Sequence, residues 1–166
     1  MKKALILGLL TWFMLTVVSG INAQDRSNRG KEFWLCYGNN WGFASETPVN
    51  SQELAIYIST EQAATVTVNI FGTTWTRTLN IPANTVDASI LIPKTGVDDA
   101  RILTDGLSQR GIRISSDVPV AVYAHQYNSM LSGATMLMPI ETLGYSYYSI
   151  NYYQNTSASP LPTIAS

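Results

Sequence analysis

Residues 111–148 read GIRISSDVPVAVYAHQYNSMLSGATMLMPIETLGYSYY. Ile112 and Ile114 alternate with polar neighbours. Beyond Asp117-Val118-Pro119, the residues Val120, Val122 and Ala124 alternate with Ala121, Tyr123 and His125. Period-two alternation marks a sheet whose two faces meet unlike surroundings. Proline cannot donate to a ladder, so Asp117–Pro119 is predicted to end one short strand and Val120 to open a longer one. A loop, another strand and a Leu143-Gly144 corner into an aromatic run follow.

The same alternation extends towards the N-terminus. A first strand is predicted from Gly30 to about Tyr37, with an apolar centre Phe33-Trp34-Leu35-Cys36-Tyr37. Gln52–Ser59 places Leu54, Ile56 and Ile58 on one face and Ala55 and Tyr57 on the other. Thr65–Phe71 sets Val66, Val68 and Ile70 inward against Thr65, Thr67 and Asn69. Gly72-Thr73 reads as a two-residue hairpin turn. Thr74–Ile81 returns with Thr74, Thr76, Thr78 and Asn80 on the wet face. Val86–Ile92 places Val86, Ala88, Ile90 and Ile92 together, and Pro93 stops it. Lys94–Arg110 is the one stretch without strand character, with room for a helical turn near Asp99–Leu103. Regular strands, Gly/Pro turns and no helical periodicity predict an all-β fold: an antiparallel β-sandwich of jelly-roll or Ig-like layers, with a barrel as the alternative.

The ends of the chain set its organisation. Met1-Lys2-Lys3, an apolar run Ala4–Val18 and a small-residue site ending at Ala23 read as a secretory signal peptide (1–23) cut after Ala23. The run is about 15 residues, shorter than the roughly 20 of a membrane span, so no stable span is expected after cleavage. No Cys stands at the cut to accept lipid. The sandwich domain is predicted over 24–143. Gly144–Asn151 echoes Gly30–Tyr37, a Gly followed at the same spacing by adjacent aromatics, so 144–166 reads as the first strands of a truncated second β unit. The signal peptide predicts a protein outside the cytoplasm, secreted or at the cell surface.

Charge narrows the partners. Losing Lys2 and Lys3 from ten basic residues leaves eight against eleven acidic ones, a net charge near −3. Nucleic-acid binding rests on Lys and Arg clusters, so a polyanion partner is not expected. The single Cys, Cys36, excludes an internal disulfide. It is expected to be a small buried hydrophobe, with a reactive thiol or an intermolecular bridge as alternatives.

The order Gly30-Lys31-Glu32-Phe33-Trp34, Gly111-Ile112, Ser115-Ser116-Asp117-Val118-Pro119-Val120, Tyr123-Ala124, Ser132-Gly133-Ala134-Thr135, Leu137-Met138-Pro139, Leu143-Gly144-Tyr145 and Tyr148 resembles the N-terminal domain of IgGFc-binding proteins. The resemblance runs from about Gly30 to the end. It implies a β-rich extracellular binding or adhesion module with no catalytic residues to carry over. The family domain is longer than this chain, in line with truncation. The animal ligand in the family's name does not transfer with the likeness.

Reactive chemistry finds little support. His125 is the only His, and zinc needs several His or Cys ligands. No Gly-x-Ser-x-Gly elbow accompanies it. Asp98, Asp99 and Asp105, with Asp117, could offer oxygens to calcium, yet the EF-hand spacing is missing and solvated loop carboxylates are the plainer reading. No phosphate-cradling Gly-rich loop ending in Lys is present. No catalytic, cofactor or metal residues are therefore assigned, and a secreted hydrolase with paired carboxylates is the weakest option. Aromatic residues carry more promise. Trp41 lies in a Gly/Asn loop and Tyr127 on the outer face of the long strand, and both are candidate ligand contacts for an extracellular protein or glycan. Tyr145, Tyr147, Tyr148, Tyr152 and Tyr153 crowd the tail; for Tyr148 and Tyr152 the plainer expectation is an inward position beside Ile150. A structural spacer that binds nothing is the competing function.

Overall fold

The computed structural model describes residues 27–38, 51–104, 106–129 and 132–148. The predicted signal peptide, Trp41, Asp105, and Ile150, Tyr152 and Tyr153 lie outside the described residues. Among the described residues nine strands run in chain order: β1 (Arg29–Leu35), β2 (Tyr37–Gly38), β3 (Glu53–Thr60), β4 (Ala64–Ile70), β5 (Thr76–Ile81), β6 (Thr85–Leu91), β7 (Arg101–Ile102), β8 (Ile112–Tyr127) and β9 (Ser132–Met136). The only helical elements among the described residues are 3-10 turns at Gly96–Asp98 and Ile140–Thr142. The all-β antiparallel class is as predicted.

β8 is the spine. One of its edges carries β4 along Ile112–Ser116 and then β3 along Ala121–Tyr127. The other carries β1 and then β9. Ala121 is opposed by Arg29 of β1 and Ser59 of β3 at once, which fixes those strands on opposite sides. The seven-stranded sheet thus divides into β5-β4-β8-β1 and β6-β3-β8-β9, sharing one strand. Even-numbered β8 residues Ile112, Ile114, Val120, Val122 and Ala124 are buried throughout. Phe33, Val66, Val68 and Ile70 from the first half join Leu54, Ile56, Ile58 and Ile90 from the second in one core. A strand that bends from one layer into the next makes the corner of a sandwich. The curl, continued through the turn between β5 and β6, also brings the sheet close to a barrel.

The break predicted at Asp117–Pro119 is instead the bend of one 16-residue strand. Neither β4 nor β3 has a residue opposite 117–119, and on the other edge the register jumps from Glu32↔Ser115 to Gly30↔Val120. Pro119 lacks an N–H where no ladder partner exists to receive one, so the strand continues past it. Asp117 Oδ1 accepts the Thr65 amide at 2.8 Å and pins the bend to the start of β4. Gly30 is required beside it: a Cβ there would lie 2.2 Å from Pro139 Cβ.

Other local expectations are corrected by geometry. The hairpin after β4 spans five residues, 71–75, closed by Thr73 N–H to the Ile70 carbonyl and Ile70 N–H to the Trp75 carbonyl, each 3.3 Å. Gly72 holds φ +74° there, which favours glycine. In β6 the face changes midway. Ile56 opposes Ile90, but Ile58 opposes Asp87, so the strand carries an extra residue. Asp87 Oδ1 accepts both the amide and the hydroxyl of Ser89, stabilising the bulge. Val86 consequently turns out, 59% exposed, instead of sharing the inner face of Ile90 and Ile92. Within 94–110, the helical turn lies at Gly96–Asp98, upstream of the predicted Asp99–Leu103. Arg101–Ile102 pairs in parallel with β2.

Cys36 is exposed rather than buried. It sits between β1 and β2, where alternation assigns the inward positions to Phe33 and Tyr37. The tyrosine's O–H donates to the Ala55 carbonyl at 3.0 Å, and burial pushes its phenol pKa up. Residues 144–148, where the sequence echo predicts a new strand, form none. Tyr148 is 98% exposed instead of inward.

Candidate functional site

Because even residues of β8 enter the core, its odd residues Tyr123, His125 and Tyr127 line the outer face of the second half. The register adds cross-strand neighbours: Tyr57 opposite Tyr123 on β3, and Ser132, Ala134 and Met136 of β9 opposite Tyr127, His125 and Tyr123. Ala55 and Ala134 flank His125 on either side. Two small neighbours leave the imidazole room to lie between the larger side chains placed diagonally to it, within the reach of cross-strand diagonals.

His125 is held from three directions. Its Nδ1 lies 3.2 Å from the Tyr57 hydroxyl, and its Nε2 lies 2.8 Å from Ser132 Oγ. Its ring stacks on Tyr127, with centroids 4.6 Å apart and planes 24° apart; the Tyr57 ring is 5.7 Å away and tilted. A neutral imidazole offers one donor and one acceptor, so one of the two hydroxyls donates to it and the other accepts. The result is a row in which Tyr57, His125 and Tyr127 are fixed by stacking and hydrogen bonds, with Tyr123, 38% exposed, opposite Tyr57. Such rings offer amphipathic contact area with little entropy left to lose.

The rim of this row is polar and mostly neutralised. Lys94 Nζ donates to Glu53 at 2.7 Å and to the Gln52 carbonyl at 2.8 Å. Asn128 donates to Ser51 Oγ at 3.1 Å, and Asn28 to the Met136 sulfur at 3.0 Å. Buried Gln52 accepts a hydrogen bond from Gln126.

Of the two aromatic contacts predicted from sequence, Tyr127 belongs to this row, half-buried against His125. Trp41 lies outside the described residues. Tyr57, Ser132 and Met136 escaped the sequence reading as site residues. Alternation puts Tyr57 on the face opposite Leu54, Ile56 and Ile58, but which strands flank β8 is a long-range fact that alternation does not encode. A second exposed aromatic pair stands on the other half: Trp34 and Phe71 meet edge to face at 6.4 Å, with Gly111 beneath the indole.

The Ser132–His125 contact has the form of a nucleophile and its base. The far imidazole nitrogen, however, meets a neutral phenol, where a hydrolytic triad places a carboxylate to stabilise the imidazolium. Among the described residues, the acidic side chains of the 94–110 stretch do not gather into such a site either. Asp99 is committed to a bidentate pair with Arg101, at 2.9 and 2.7 Å. Burial pushes its carboxyl pKa up, but the Arg101 hydrogen bonds and charge outweigh this and hold it below the usual carboxylate value. Asp117 serves Thr65. Among the described residues, no group of three or more His, Cys, Asp or Glu gathers into a metal-binding cluster. Comparison with protein-family models, curated proteins and solved structures found no match for this chain.

Proposed function

We infer that this protein is a secreted or cell-surface binding or adhesion module, non-catalytic, of the IgGFc-binding N-terminal type that its sequence resembles. The observation that carries this reading is the outward-facing row Tyr57, Tyr123, His125 and Tyr127, in which His125 is held against Tyr57 and Tyr127. Burying Tyr123, a large aromatic, would contribute more to stability than exposing it, and a pure spacer has no need to leave such a row uncovered. The flat rings and the hydroxyl- and amide-bearing rim suit an extracellular protein or glycan surface. The signal-like leader Met1–Ala23 supports export. A screen of the full chain against glycan, mucin and extracellular-protein arrays tests the reading. Saturable binding to at least one class is expected; no binding across all three would contradict it.

A structural spacer is the second reading. It is favoured by the other outer face, where Thr65, Thr67, Thr78 and Asn80 form a plain polar ladder. The secreted-hydrolase option rests on the Ser132–His125 contact alone. Labelling of Ser132 by a fluorophosphonate probe would revive it.

A further inference from the structure

The geometry points to a second copy of this chain as the partner of the open edge of β9, paired antiparallel about a two-fold axis at Ala134. This inference does not depend on what the aromatic face binds.

The backbone decides which groups are on offer. Leu137 N–H donates to the Val122 carbonyl at 2.9 Å. In an antiparallel ladder, successive residues alternate between bonding to one neighbour and turning to the other side. Leu137, Thr135 and Gly133 therefore bond towards β8. Ser132, Ala134 and Met136 turn their N–H and C=O groups to the opposite edge, where the Thr135 hydroxyl makes a long 3.5 Å contact with the Met136 carbonyl. Among the described residues no strand pairs with that edge.

Natural sheets protect such edges with charges, prolines, bulges or a covering element. β9 has none of the first three: SGATM is uncharged, lacks Pro and pairs with β8 without a register shift. All five of its residues are exposed.

The available groups are also symmetric. Ser132, Ala134 and Met136 lie evenly about Ala134, so a copy running antiparallel opposes Ala134 to its own equivalent and Ser132 to Met136 of the second copy. Each opposed pair can exchange both backbone bonds. No like charges meet, and Gly133, with no side chain, and Ala134, with a methyl, permit close approach. This register is a property of β9 against itself, which an unrelated strand would have to supply anew. A C2 contact of this kind is self-complementary by definition. It would set the two Tyr123–His125–Tyr127 rows side by side, converting one weak contact face into a bivalent one. Five residues bury less than a standard interface of about 1,600 Å², so the dimer is a concentration-dependent one.

The test is sedimentation of the full chain over a hundredfold concentration range, under reductant so that a Cys36 bridge does not count. The dimer fraction should rise with concentration. Ala134→Lys sets like charges across the axis, and Ala134→Pro removes an N–H that the monomer leaves unused. Both should abolish the dimer. In the unaltered chain, exchange of the Ser132, Ala134 and Met136 amides should slow at high concentration, which keeps the test decisive if a variant misfolds. A chain that stays monomeric, a dimer that survives both substitutions, or amide exchange indifferent to concentration would each overturn the proposal.

Discussion

The two outer faces of the bent β8 strand differ in kind, although one strand builds both. On the β4 side, Thr65 bonds Asn80 and Thr67 meets Thr78, each at 3.3 Å, in a regular polar ladder. Glu32 bridges Arg113 there with two hydrogen bonds of 2.9 and 3.0 Å. Each of these polar groups has a partner across the strands. On the β3 side, the same odd-numbered positions hold Tyr123, His125 and Tyr127; His125 is locked to Tyr127, Tyr57 and Ser132, and Tyr123 lies opposite Tyr57. The first face meets water mainly through these paired polar groups, with the Trp34–Phe71 pair, 44% and 52% exposed, near the start of β8. The second leaves aromatic surface exposed and spends its hydrogen bonds on fixing ring positions. The bend at Asp117–Pro119 thus separates a mainly polar outer face from one built on a Tyr–His–Tyr row, which we propose to be the contact surface.

The comparison holds only if both faces rest on one core. Phe33→Ala should therefore cost about 3–5 kcal/mol and lower a single cooperative melting transition, followed by calorimetry. Two transitions, one per half, would break the account. Gly30→Ala should cost about 1–3 kcal/mol through overpacking, since the new methyl would meet Pro139 just beyond β9. That residue ties β1 of one half to the exit of the other, and chemical denaturation reads the effect.

His125→Ala should loosen only the aromatic face. The expected loss is about 1 kcal/mol, with faster exchange of Tyr57 and Ser132 hydroxyl and nearby amide protons by NMR. An equal disturbance around Thr67 would show that the faces are not independent.

Acid offers a check that belongs to neither face. Arg101 holds the Asp99 carboxyl below its usual value, so its folded pKa is depressed relative to the unfolded chain. The pair's contribution is present above the ordinary Asp value, about 4, and fades as pH falls through the lower folded value. Asp99→Asn should remove part of that acid-induced loss, read from melting temperatures between neutral pH and about pH 3. Smallest of all, Thr67→Ala should change stability by a few tenths of a kcal/mol.

Much of this fold was legible from the sequence. Alternation at Gln52–Ser59, Thr65–Phe71 and Val120–Ala124 marked strands and faces correctly, because burial on one side of a pleat imposes a period of two. It failed where the structure departs from strict pairing. Pro119 looked like a terminator because its partner strands, and the gap between them, are set by residues far away in the chain. Val86 was assigned inward because a bulge held by Asp87 and Ser89 leaves no mark in the pattern of apolar residues. Cys36 looked buried because its neighbours are apolar, whereas its parity places it opposite Phe33 and Tyr37. Of the site, Tyr127 and the outward row of β8 could be read directly. Tyr57 and Ser132 could not be joined to them, since that needs the register of β3 and β9 against β8.

The central claim is that the aromatic face makes the contacts and the threonine face does not. Binding of the full chain to its strongest array ligand, compared with Tyr123→Ala/Tyr127→Ala and Thr67→Ala/Thr78→Ala variants, tests it most directly. The account predicts a loss of about tenfold or more for the tyrosine pair and no more than about twofold for the threonine pair. Equal affinity in all three proteins, or a greater loss from the threonines, would contradict it.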